Sequence, residues 1–114
     1  NIVQCAIIEQ SMPAMRGAGR GVSAMSAHST GVNWGIAYGC LVATGVPSQI
    51  APPATWKRAM ACPADKDAAR KRASQLLPQH AHLWARAKDD GRAEAALIAL
   101  YAERLYREQK GLAA

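Results

Sequence analysis

Three acidic residues stand where carboxylates could do chemistry. Glu9 ends an apolar, β-branched run, and Asp90 and Glu94 open the last helical pattern of the chain. Their spacing places Asp90 and Glu94 on one helical face about one turn apart, with Asp89 adding a further charge beside them. Like charges at this spacing repel each other. The repulsion is easier to accommodate when divalent cations lie between the carboxylates, because Mg²⁺ takes oxygen ligands. The alternative is an acidic first turn that the helix dipole favours.

Basic residues outnumber acidic ones. Of the 114 residues, 14 are Lys or Arg and 8 are Asp or Glu, which gives a formal net charge of +6. This charge favours a polyanionic partner, because cations that neutralise phosphates release counterions from nucleic acid. An ordinary solvated basic surface is the alternative. The residues that we expect to contact phosphate are Arg16, Arg20, Arg70 and Lys71, the first two in a Gly-rich basic loop at Met12–Gly21.

Two short strands are expected in the first half of the chain. The compact run Val3–Glu9 predicts a buried strand with Glu9 at its C-terminal end. A second short strand is predicted at Ser48–Ala51, after the helix-ending sequence Gly45-Val46-Pro47. A carboxylate at a strand end is therefore the first element of the candidate site.

A Gly-rich helix is expected between these strands, from about Val22 to Thr44. Gly31, Gly35 and Gly39 recur every four residues and so share one face of this helix. Because glycine disfavours a helix by roughly 1 kcal/mol relative to alanine, such a stripe predicts very close approach to a sheet or a partner helix. A poorly formed, kinked helix is the alternative.

The second half of the chain predicts three further helices. Ala54–Met60 is a short helix, and Asp65 is expected to cap a helix that runs to about Leu77, where Pro78 stops it. The last helix should span Asp90–Gln109. The residues on its predicted apolar face are Ala93, Leu97, Leu100, Tyr101 and Leu105.

The composition excludes several classes of protein. Cys5, Cys40 and Cys62 are odd in number and have neither the close pairs of a zinc site nor the density of a disulfide scaffold. We therefore expect reduced thiols in a cytoplasmic protein. The longest apolar stretches are too short or too Gly-interrupted to cross a membrane, and no charged leader precedes an apolar run. A single domain over residues 1–114 is expected.

Five sequence blocks follow one another along the chain. They are Ala6–Gln10, the Gly-rich helix Gly31–Leu41, Pro53–Met60, Asp65–Arg70 and Lys88–Ala95. Read together, they resemble the RuvC-like Holliday junction resolvases, particularly the branch found in phages and prophages. The resemblance runs from Ala6 to about Tyr101. It implies an α/β fold of the ribonuclease H-like superfamily, with a mixed sheet flanked by helices. The activity implied is Mg²⁺- or Mn²⁺-dependent cutting of four-way DNA junctions.

The resemblance also implies metal-binding roles. Glu9 matches the second of the family's four catalytic carboxylates, and Asp90 and Glu94 match the last pair. Asp89 is an alternative to Asp90. Glu94 stands where Asp is commoner in the family, a change that the metal chemistry should tolerate with slightly altered geometry.

Two lysines and the oligomeric state follow from the same resemblance. Lys57 and Lys66 match positions where the family places lysines near the scissile phosphate, where they would help to neutralise developing charge. A solvated surface position is the alternative for each. The likeness further implies a homodimer, whose two active sites would explain paired nicking of symmetric strands.

The family's first metal ligand is an aspartate on a Gly-Ile-Asp-Pro-Gly-like strand, and no such strand precedes Asn1 in this sequence. The N-terminal strands of the family therefore have no counterpart in the residues given. We expect either a fragment of a longer product or a degenerate copy that pairs with another chain. An incomplete sheet would expose unpaired edges that are prone to association.

Three rival interpretations remain open at this point. The first is a catalytically inactive remnant that binds DNA junctions in a salt-dependent way without cutting them. The second is another ribonuclease H-like nuclease that acts on different branched or damaged DNA. A purely structural or protein-binding helical domain comes last, because it leaves the spaced carboxylates and lysines unexplained.

Overall fold

The computed structural model describes residues 3–11 and 23–112 and shows a mixed α/β architecture, with one small parallel sheet and mostly helices. The chain divides into two compact units, Asn1–Pro52 and Pro53–Ala114. The predicted basic loop, with Arg16 and Arg20, lies outside the described residues. Within the described ranges, no helix has the length and apolar character needed to cross a membrane.

The first unit is a strand, a helix and a second strand. Strand β1 (Ala6–Glu9) pairs in parallel with strand β2 (Ser48–Ala51), with Glu9 opposite Ala51. Helix α1 (Ala24–Ala43) connects them, because parallel neighbours require a long crossover. The predicted bounds of β2 are confirmed, whereas β1 is shorter than the predicted run from Val3.

β1 begins at Ala6 because the segment that precedes β2 cannot extend the pairing between the two strands. In the observed register Cys5 would lie opposite Pro47, and proline has no N–H to donate. Gly45, two residues earlier, has a φ of 78° and turns the chain out of α1. The first ladder bond is therefore donated by the Ala6 N–H to the Pro47 carbonyl oxygen, at 3.0 Å.

One face of α1 holds the end of β1. Trp34, Tyr38 and Leu41 are half-buried and share this face. The Trp34 indole Nε1 donates to the backbone carbonyl oxygen of Glu9 at 2.7 Å. The Trp34 ring also stacks on Tyr38, with 5.2 Å between ring centroids. The strand end that carries Glu9 is thus fixed by a specific side-chain contact.

The glycine stripe lies on another face of α1. Apart from each glycine, its two chain neighbours and the backbone of the adjacent helical turns, no described atom lies within 4 Å of a Cβ placed on Gly31, Gly35 or Gly39. The close approach that the stripe predicts is therefore not made within the described part of the chain. Apolar side chains on α1, among them Met25 and Ile36, are exposed as well.

The second unit is helical. It contains helices α2 (Pro53–Ala59), α3 (Lys66–Leu76) and α4 (Asp90–Gln109), with 3₁₀ helices at Pro78–Trp84 and Ala87–Asp89. The predicted bounds of α4 are confirmed. The predicted cap of α3 is also confirmed, because an Asp65 carboxylate oxygen accepts from the Ala68 N–H at 2.9 Å.

The core of this unit packs two tryptophans against α3 and α4. Its buried residues are Trp56, Met60, Ala73, Trp84, Ala93 and Leu97. Alanines on the facing helices allow α3 and α4 to pack closely around the indole rings. The Trp84 Nε1 donates to the Ser74 hydroxyl oxygen at 2.9 Å, which satisfies the polar atom of a buried indole.

Replacing Leu97 by alanine should destabilise the helical unit by about 2–5 kcal/mol, because the fully buried side chain would leave a cavity. Urea unfolding followed by circular dichroism measures this change. Leu112→Ala is the matched control, since it removes the same atoms from a side chain that is 52% exposed. The control should change the free energy of unfolding by less than about 0.5 kcal/mol. Equal effects of the two substitutions would contradict the described core.

Candidate active site

The first turn of α4 presents two carboxylates on one face. Asp90 is the first residue of the helix, and Glu94 follows one turn later. Their side chains are 19% and 27% exposed, so both are partly removed from water. Each of them faces a lysine from a different helix. The structure therefore brings together four of the residues that the sequence singled out.

Lys66 forms the closer of the two ion pairs. It is the first residue of α3, and its Nζ donates to Oδ2 of Asp90 at 2.8 Å. This hydrogen bond lowers the pKa of Asp90 and raises the pKa of Lys66. Desolvation opposes the shift at both groups but is the smaller effect. Both partners consequently remain charged throughout the neutral range.

Lys57 forms the second ion pair. Its Nζ lies 3.7 Å from Oε2 of Glu94, a charge pair that is longer than an ordinary hydrogen bond. The same ammonium lies 5.7 Å from the ring centroid of Trp56, which is within the range of a cation–π contact. Because Trp56 is fully buried, Lys57 is held between the core and the carboxylate.

Two arginines secure the end of α2, the helix that carries Lys57. Arg104 donates to the Ala59 carbonyl oxygen at 2.8 Å, and Arg72 donates to the Met60 carbonyl oxygen at 2.9 Å. The last carbonyls of a helix have no partner within it, and a helix as short as α2 depends on contacts of this kind. These two bonds therefore support the position of Lys57.

Asp89 occupies a different environment from its neighbour Asp90. Its largely buried carboxylate accepts two hydrogen bonds from Arg86, at 2.9 and 3.2 Å. Hydrogen bonding by the Arg86 side chain is the main cause of the lowered pKa of Asp89. Arg86 and Asp89 are three residues apart, a spacing that is common for ion pairs. This spacing is the signal in the sequence that distinguishes Asp89 from Asp90.

Cys62 lies beside the cluster, although its sequence position gives no sign of this. Burial raises the pKa of its thiol, and the nearby charge of Glu94 raises it further, against the opposing effects of Lys57 and Arg72. The thiol therefore stays protonated near neutral pH and is a poor nucleophile. Among the described residues, Cys40 and Cys62 form no disulfide bond.

Glu9 belongs to the first unit, where it is the last residue of β1. It is half-buried, and the indole of Trp34 and the pairing with Ala51 fix its backbone. The predicted placement of this carboxylate at a strand end is confirmed.

Arg70 and Lys71 are both expected to contact phosphate, but of the two side chains only that of Arg70 forms hydrogen bonds with described residues. Arg70 donates through Nη1 to the carbonyl oxygens of Trp84 and Ala85, at 3.1 and 2.9 Å, and through Nη2 to Asp67 at 2.7 Å. Its guanidinium thus ties α3 to the segment that follows. Lys71 is exposed, and its ammonium forms no hydrogen bond or ion pair with any described residue.

The donor set at the start of α4 fits a hard divalent cation. Mg²⁺ commonly takes one or two carboxylates together with waters and substrate phosphates, and Asp90 and Glu94 are two such ligands. Among residues 3–11 and 23–112, no group of three or more His, Cys, Asp or Glu side chains could hold a metal ion. At the start of α4 the helical unit therefore offers two carboxylates, Asp90 and Glu94, as candidate ligands.

No protein-family model matches this sequence, and no curated protein matches it. The function must therefore be inferred from the residues and from the geometry of the cluster.

Replacing Asp90 by asparagine should destabilise the helical unit at pH 7 and have a much smaller effect at pH 2. Because the pKa of Asp90 is lowered in the folded state, its stabilising contribution is present above the unfolded pKa of about 3.9 and disappears as the pH falls through the folded value. Urea unfolding of the wild type and the variant at both pH values measures this difference.

Glu108→Gln provides the control, because Glu108 is exposed and forms none of the ion pairs found among the described residues. It should change the free energy of unfolding by less than about 0.5 kcal/mol at either pH. A destabilisation by Asp90→Asn that persists unchanged at pH 2 would contradict a charge-dependent pairing with Lys66.

Proposed function

We propose that this chain acts as a RuvC-type Holliday junction resolvase, a Mg²⁺- or Mn²⁺-dependent endonuclease of the ribonuclease H-like superfamily. The observation that carries the proposal is the lysine-paired carboxylate cluster at the start of α4. Asp90 pairs with Lys66 at 2.8 Å, and Glu94 pairs with Lys57 at 3.7 Å. The sequence blocks that contain these four residues are among those that resemble the family.

The arrangement of the first unit supports the same proposal. Its parallel strands, joined through α1, are compatible with the mixed sheet of a ribonuclease H-like fold. Active sites of open α/β sheets lie at the carboxyl ends of the strands, and Glu9 occupies that end of β1. In the proposed enzyme Glu9 is the second metal-binding carboxylate. In the family, the first metal-binding carboxylate is an aspartate.

By the proposed family likeness, Glu9, Asp90 and Glu94 are each candidate metal ligands. Asp90 is preferred to Asp89 because both oxygens of Asp89 bond to Arg86. Each lysine pair uses one oxygen, Oδ2 of Asp90 or Oε2 of Glu94. Since a carboxylate offers about four lone-pair sites, the same group can also bind a cation. When bound, Mg²⁺ supplies the Lewis acidity that phosphodiester hydrolysis requires at neutral pH.

The two lysines balance the negative charge of the cluster and prepare it for a phosphate. Without them, Asp90 and Glu94 would repel each other and any DNA strand that approached. With a strand in place, the ammonium groups of Lys57 and Lys66 would contact the non-bridging oxygens, where negative charge develops during cleavage. Lys66 is 75% exposed, so no packing around its side chain prevents it from turning from Asp90 to a phosphate.

The partner in this proposal is a four-way DNA junction bound by a homodimer. The net charge of +6 favours binding to the phosphate backbone. Two copies of the cluster would cut two symmetric strands of one junction, which a single site could not do in one encounter.

A second candidate function is junction binding without cleavage. It is favoured by the ligand count, because the described residues contain no group of three or more metal-ligating side chains. A protein of this kind would retain the basic surface and the preference for branched DNA.

An assay with a labelled four-way junction and a linear duplex, in Mg²⁺ or Mn²⁺, tests the proposal. The wild type should nick symmetric strands of the junction and leave the duplex intact. Asp90→Asn and Glu9→Gln should each lower the nicking rate by more than about 100-fold, which exceeds the usual effect of losing an outer-shell partner of a metal.

Glu108→Gln should nick like the wild type, because it removes a carboxylate outside the cluster. Binding of the junction by the wild type without nicking would favour the second candidate. Equal binding of junction and duplex, with neither cut, would contradict both candidates.

A further inference from the structure

A groove of about 480 Å³ lies in the helical unit between α3 and the 3₁₀ helix Pro78–Trp84. Its volume falls in the range of about 300–1,000 Å³ that is usual for ligand sites. Lys71, Ser74 and Gln75 line the α3 wall, and Ala81 and Ala85 line the opposite wall. None of its lining residues belongs to the carboxylate cluster. The groove therefore offers a polar wall and an apolar wall at a separate position.

The two walls are tied together by hydrogen bonds. Arg70 of α3 donates to the carbonyl oxygens of Trp84 and Ala85 in the opposite wall, at 3.1 and 2.9 Å. In the reverse direction, the Trp84 indole donates to the Ser74 hydroxyl oxygen at 2.9 Å. A ligand would consequently enter a preformed groove, which reduces the entropy lost on binding.

The groove has a net positive charge and free hydrogen-bond donors. Asp67 offsets the charge of Arg70 through a 2.7 Å ion pair, so Lys71 leaves the lining with one uncompensated positive charge. The Ser74 hydroxyl already accepts a bond from Trp84, and its own proton can be donated to a ligand.

We propose that this groove binds one phosphodiester of a DNA strand, with Lys71 and Ser74 donating to the phosphate oxygens. The adjoining deoxyribose would pack against Ala81 and Ala85. A phosphodiester fits the two walls because its charged oxygens lie directly beside an apolar sugar. The site rests on the proposed function and extends it, since it adds a DNA contact away from the residues that cut.

Fluorescence anisotropy with a labelled four-way junction in EDTA tests this site without cleavage. Lys71→Gln should weaken binding by about three- to tenfold at low salt. It should also reduce the slope of log Kd against log salt concentration by about one, which corresponds to the loss of one phosphate contact. Ala85→Leu, which fills the groove without altering charge, should also weaken binding. Lys110→Gln is the matched control, because it removes one positive charge from an exposed position outside the groove. Thermal unfolding monitors the fold of each variant.

The outcomes separate this site from the proposed function. Weaker binding by Lys71→Gln and Ala85→Leu, with Lys110→Gln close to the wild type, would support the groove. If the wild type binds the junction and Lys71→Gln behaves like Lys110→Gln, the groove assignment is wrong while the proposed function stands. If the wild type binds no DNA, both fail. Binding of a polyglutamate peptide instead of DNA, in a Lys71-dependent manner, would reassign the groove to acidic peptides.

Discussion

The pairing of two carboxylates at the start of α4 with lysines from two other helices is the interaction on which the candidate site depends. Two carboxylates one turn apart disfavour the start of α4, and both are partly buried. The structure offsets this cost with a lysine from each of two other helices, Lys66 from α3 and Lys57 from α2. These contacts connect the start of α4 to the last turn of α2 and to the first residue of α3. A cluster with balanced charges is stable in the free protein, and each carboxylate keeps lone pairs that the proposed cation could use.

The same unit uses many of its basic residues to satisfy backbone carbonyls. The arginines that donate to carbonyl oxygens are Arg70, Arg72, Arg92 and Arg104. Their positions hold short elements, such as α2 and the 3₁₀ helix Pro78–Trp84, that have few internal hydrogen bonds of their own. The net charge of the chain therefore overstates the number of basic side chains that are available to the proposed DNA partner. Exposed lysines such as Lys71 are the better candidates for that contact.

Local signals in the sequence predict the elements well, and long-range contacts are harder to predict. The bounds of α4 and β2 and the cap at Asp65 follow from periodicity and from residues that start or stop a helix. The pairing of Lys66 with Asp90 joins residues 24 apart in the chain, and no local pattern encodes it. The resemblance implies that both lysines lie near a phosphate, whereas in the free protein each forms an ion pair with a carboxylate. The position of Cys62 beside Glu94 likewise depends on how α2 packs against α4.

The most direct test of the metal site is a titration of the ¹⁵N-labelled protein with Mn²⁺, followed by NMR. Paramagnetic broadening falls steeply with distance from the ion, so the amides that lose intensity first locate it. A site at the cluster predicts that the amides around Asp90 and Glu94 broaden first, and that Asp90→Asn abolishes this effect. Broadening that is strongest around another acidic position, such as Asp65–Asp67, or that is unchanged in Asp90→Asn, would contradict a metal site at the start of α4.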